Sequence, residues 1–68
     1  MSASYAATAT AETVARHLEL AHARLVALHA DAEAARLPQG VVMGLHWLAE
    51  DAASTLADMH NLTRAPTA

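Results

Sequence analysis

From Val14 onward the apolar residues recur at alternating steps of four and three: Val14, Leu18, Ala21, Leu25, Leu28, Ala32, Ala35. This spacing follows one face of an α-helix, the a and d positions of a heptad seam like that of a coiled coil. A second run of the same kind, Val41, Leu45, Leu48, Ala52, Thr55, Met59 and Leu62, begins just after Leu37-Pro38. The residue before a proline is pushed out of the α region, and proline itself is favoured at the first helical position. The dipeptide therefore closes one helix and opens the next.

The expected elements are helix 1 over about residues 11–36 and helix 2 over about 38–63. Thr10 suits the N-cap of helix 1, and Glu12 suits the positive end of its dipole. Arg64 suits the C-terminal end of helix 2, and Pro66 ends the pattern. Residues 1–9 show no periodicity and read as a flexible tail, and 65–68 read as a frayed end.

Two seams of equal length joined by a short turn fold back on each other. The expected fold is an all-α antiparallel two-helix hairpin. With a positions of one helix facing d positions of the other, one register pairs Val14–Met59, Leu18–Thr55, Ala21–Ala52, Leu25–Leu48, Leu28–Leu45 and Ala32–Val41. The same register sets Arg24 opposite Asp51 and His17 opposite Asp58, both complementary in charge. Gly40 and Gly44, near Ala30 and Ala34, would permit close backbone approach beside the turn.

A chain of 68 residues buries little surface, so a core of this size needs reinforcement. It contains no cysteine, which leaves oligomerisation, a partner, or a metal site built from His and carboxylates. The apolar face of helix 2 is wider than one seam requires. Val42, Ala49 and Leu56 extend it on the e side, and Met43 and Trp47 lie further round. On helix 1, Leu20, Ala23, Ala27, Ala30 and Ala34 form a second, Ala-rich stripe, with Val26 beside it. Contiguous apolar surface of this kind marks contacts. The expectation is a homodimer of hairpins forming a four-helix bundle, with Leu20, Val42, Met43, Trp47, Ala49 and Leu56 as the interface. Trp47 is the foremost anchor for a protein partner, because aromatic residues are enriched among binding hot spots.

Five histidines are the only feature that invites an active-site reading. Glu19 and His22 share a helix face at the Glu-x-x-His spacing, and His29 lies one heptad beyond His22. These three are the candidate metal ligands, for a site completed across a symmetric interface. The further carboxylates that a di-metal bundle needs are not matched on helix 2, where Glu50 points outward. His46 with Glu50 reads as a surface pair, and His17 and His60 as solvated.

Ser54 and Thr55 lack a nucleophile elbow, and Gly40 and Gly44 do not form a phosphate loop. The expectation is no enzyme and no cofactor. The formal charge of −3 and four scattered arginines disfavour nucleic acid and anionic membrane surfaces. No apolar stretch reaches the roughly 20 residues of a membrane span, and the first eleven residues lack signal-peptide features, so the expected compartment is the cytoplasm. The absence of Lys, Ile and Phe, whose codons are AT-rich, suggests a GC-rich bacterial genome.

The functional expectation is a non-enzymatic interaction and assembly module that self-associates and binds a partner protein. The alternatives are a histidine-dependent metal-binding bundle and a small accessory subunit of a larger enzyme.

Overall fold

The computed structural model describes residues 10–64, with side chains through residue 62. The expected tail over 1–9 and the frayed end over 65–68 lie outside the described residues. Two helices pack against each other, α1 (Ala11–Ala34) and α2 (Gln39–Arg64), and the described residues contain no strand.

Helix α1 begins where the sequence supplies a cap. Thr10 is extended at φ −120°, ψ 168°, and its hydroxyl oxygen accepts the Thr13 N–H at 3.1 Å. Its carbonyl accepts the Val14 N–H at 3.0 Å, and Glu12 sits in the first turn beside the positive dipole end.

The helix does not run on to residue 36. Ala35 caps it, and Arg36 takes a left-handed conformation at φ 56°. The Arg36 N–H then donates to the Glu33 carbonyl at 3.0 Å and the Leu37 N–H to the Ala32 carbonyl at 3.0 Å. These two bonds are those of a Schellman motif, which satisfies carbonyls that the helix end would leave open. The reversal therefore precedes Pro38. Pro38 sits just outside α2, where its carbonyl accepts the Val41 and Val42 N–H groups at 2.9 and 3.1 Å.

A side chain in the left-handed region costs about 1 kcal/mol relative to glycine, less glycine's own entropy loss. Arg36→Gly is expected to stabilise the fold by up to about 1 kcal/mol, a rise in Tm of about 4–8 °C for a domain this small. A thermal melt followed by circular dichroism checks this. A fall in Tm would mean that Arg36 contributes more through its side chain than its backbone costs.

The packing between the helices departs from the expected seam. The buried apolar residues are Ala15, Ala32, Val42 and Ala52. Leu18, His22, Leu25 and His29 on α1, and Leu45, Ala49, Leu56 and Met59 on α2, are half-buried. Position a is retained on both helices, and position e takes the place of d. Val14, Leu28, Val41 and Leu48 are correspondingly exposed. Both choices step by four and three, so periodicity cannot separate them.

Matched outward from the turn, the covered residues form rungs. One constant offset would set Ala32 opposite Val42, His29 opposite Leu45, Leu25 opposite Ala49, His22 opposite Ala52, Leu18 opposite Leu56, and Ala15 opposite Met59. The His29 and His46 rings, 5.6 Å apart, agree with the second rung. The close approach expected at Gly40 and Gly44 is not found, because a Cβ on either would meet nothing within 4 Å.

Candidate interaction surface

The hairpin has two unlike faces, and the rungs determine which residues line each. At about 100° per residue, the position one step after each a residue turns to one face and the position one step before each e residue turns to the other. Antiparallel helices progress in mirrored senses, so equivalent steps on both helices reach the same face.

The first face is polar. It carries Glu12, Glu19, Val26 and Glu33 from α1, and His46, Ala53 and His60 from α2. Its cross-helix contacts are real ones: His60 Nε2 lies 3.5 Å from Glu19 Oε2, and His46 faces His29. His29 also lies 4.0 Å from Glu33 one turn on. Near the turn this face forms an open hollow lined by His29, Glu33, Arg36, Val42, Met43 and His46.

The candidate metal ligands part company here. Glu19 goes to His60 near the open end of the hairpin, His22 sits half-buried in the seam, and His29 lies toward the turn. Among the described residues, no group of three or more His, Asp or Glu side chains could hold a metal ion. His60 is exposed, as expected for a solvated residue, and also lies 3.5 Å from Glu19, while His46 stacks on Trp47 edge-on at 5.2 Å instead of reaching Glu50.

The opposite face is apolar. Val14, Ala21 and Leu28 of α1 lie beside Val41, Leu48, Thr55 and Leu62 of α2. Its large residues are open to solvent, with Leu28 at 49%, Leu48 at 53% and Leu62 at 69%. The a residues Leu18, Leu25, Leu45 and Met59 form its floor, since they lean toward this side of the seam. A shallow groove along α1, lined by His17, Leu20, Ala21, Arg24, Leu25 and Leu28, lies between this stripe and the outer side of the helix. No charged residue occupies a d position, so the stripe is uninterrupted from the turn to the far end.

The six residues expected at the interface are divided by the fold. Val42 is buried in the hairpin seam, and Ala49 and Leu56 are half-buried in it. Met43 is half-buried at the hollow on the polar face. Leu20 and Trp47, both at 59%, stand on the outer sides of α1 and α2, away from the seam. The d stripe was legible in the sequence as part of the expected internal seam, and only the packing shows it to be uncovered.

The fold and its surfaces define an antiparallel α-hairpin with one apolar and one polar face. Among the described residues, no helix is long and apolar enough to cross a membrane. No family model, curated protein or solved structure matches the chain.

Proposed function

We propose that this chain is a non-enzymatic helical assembly module, which self-associates into a four-helix bundle and binds a partner protein through the apolar surface that remains. The observation that carries this reading is the poverty of the hairpin's own core. Three of its four buried apolar residues are alanine, and no large side chain is fully buried among the described residues. Two helices of this size expose more apolar side chain than they cover, and a two-layer domain needs a second apolar face to pack against. Self-association supplies one at no cost in sequence, because the same stripe serves both sides.

Folding and association are then one equilibrium, and stability depends on protomer concentration. Sedimentation equilibrium and thermal melts over an about hundredfold concentration range test it. A dimer whose melting temperature climbs with concentration is the expected result. A folded monomer with a concentration-independent melt would overturn the proposal.

Trp47 lies outside both the hairpin seam and the apolar stripe, which leaves it for the partner protein. Trp47→Ala is expected to change helicity and self-association by no more than about 1 kcal/mol, since its ring contact is with the neighbouring His46 on the same helix. A large loss of helicity would make Trp47 a structural residue and remove it as an anchor.

A further inference from the structure

We propose that the apolar face is occupied by a second copy of the chain, related by a two-fold axis parallel to the helices, so that α1 of each hairpin lies along α2 of the other. This inference rests on the assembly reading above and specifies its geometry.

On α1 the flanking g positions are His17, Arg24 and Asp31, and on α2 they are Gly44, Asp51 and Asp58. All four of His17, Arg24, Asp51 and Asp58 are exposed. Neither of the ion pairs among the described residues, His29–Glu33 and Glu19–His60, uses them.

A two-fold axis along the helices leaves every residue at its own height in the hairpin. Arg24 lies between the rungs of His22 and Leu25, and Asp51 lies between the matching rungs of Ala49 and Ala52. His17 and Asp58 likewise fall between the rungs of Ala15–Met59 and Leu18–Leu56. With no sliding, Arg24 of one copy meets Asp51 of the other, His17 meets Asp58, and Asp31 meets Gly44. Each contact occurs twice by symmetry. The a and d side chains then pair across copies as Leu25 with Leu48 and Leu28 with Leu45, in the register that the heptad spacing specifies. The groove on α1 between Leu28 and Arg24 is where the second copy's α2 would rest.

The competing two-fold axis, perpendicular to the helices, stacks like on like. It lays the acidic flank of α2, Asp51 and Asp58, against itself, and like charges across an interface act against that pairing. The mixed-sign flank of α1 could pair with itself in that arrangement, but Asp51 and Asp58 meet complementary side chains only in the first, which charge therefore favours.

The test uses native mass spectrometry and cross-linking of the full chain, which has no cysteine of its own. Arg24→Asp and Asp51→Arg are each expected to weaken the dimer by about tenfold, and the double variant to recover most of the loss. Separately, chains carrying R24C are mixed with chains carrying D51C and treated with a short bis-maleimide. The expected product is the mixed dimer, with no D51C–D51C product. A D51C homodimer, or charge reversals that fail to compensate, would overturn this arrangement while leaving self-association intact. A wild-type chain that remains monomeric would instead overturn the assembly reading itself.

Discussion

Leu48→Lys is expected to abolish self-association and, with it, most of the helicity at micromolar concentration. Leu48 is 53% exposed in the single hairpin and is the central large residue of the α2 stripe. Covering the exposed part of a leucine contributes about 1 kcal/mol, and burying an unpaired ammonium in its place costs several more. Both changes occur twice in a two-fold dimer. Even about 2 kcal/mol per site gives about 4 kcal/mol per dimer, a weakening of about a thousandfold.

Among the described residues the hairpin released by that change keeps four small buried side chains, and it is expected to melt as it dissociates. Native mass spectrometry and circular dichroism on the same sample read both effects. A Leu48→Lys chain that remains a helical dimer would show that the d stripe is not the contact. A helical monomer would show that the hairpin is stable by itself. Glu50→Lys, two residues away on the outer side of the helix, is the control and should change little.

The second large effect is expected at Ala32, the most covered side chain among the described residues at 3% exposure. Ala32 lies next to the turn, where its carbonyl accepts the Leu37 N–H that closes the Schellman motif. A larger side chain at so covered a position has to displace its neighbours or open the turn. Ala32→Leu is expected to destabilise by about 2 kcal/mol through overpacking, a fall in Tm of about 10 °C. Ala34→Leu, on the exposed outer side, is expected to leave the melt within about 0.5 kcal/mol of wild type. If Ala32→Leu instead raises the melting temperature, space exists beside the turn and the rungs are misassigned.

The two substitutions probe different contacts. Leu48 tests the proposed face between copies, and Ala32 the seam within one copy. The adjacent valines make the same distinction, since Val42 is buried in the hairpin and Val41 is open on the stripe. A one-residue step on a helix turns a side chain by about 100°, enough to move it from one contact to the other.

Helix existence and antiparallel pairing were legible because they depend on local chemistry. A run without Gly or Pro from Ala11 to Leu37, an N-cap at Thr10 and a proline at 38 bound α1 through backbone preferences that act within a few residues. The fine structure of the turn was not legible. A left-handed arginine carries no sequence signal of the kind glycine gives, and it holds Arg36 only because two backbone hydrogen bonds require it. The carboxylates and histidines gave spacing but not destination. Glu19 and His22 share a helix face in sequence, yet Glu19 meets His60 from the other helix while His22 enters the seam.

The heptad pattern by itself determined that each helix has an apolar seam, wider on α2 where Val42, Ala49 and Leu56 extend it, and that the two helices fold back just before Pro38. Tertiary structure decided how that width is divided. Positions a and e close the hairpin, and position d is left open, with Arg24, Asp51 and Asp58 along its border. The reason is geometric. A helix pair covers only one edge of each apolar face, both edges repeat at the same four-and-three spacing, and the path of the chain through residues 35–38 sets which edge is turned inward.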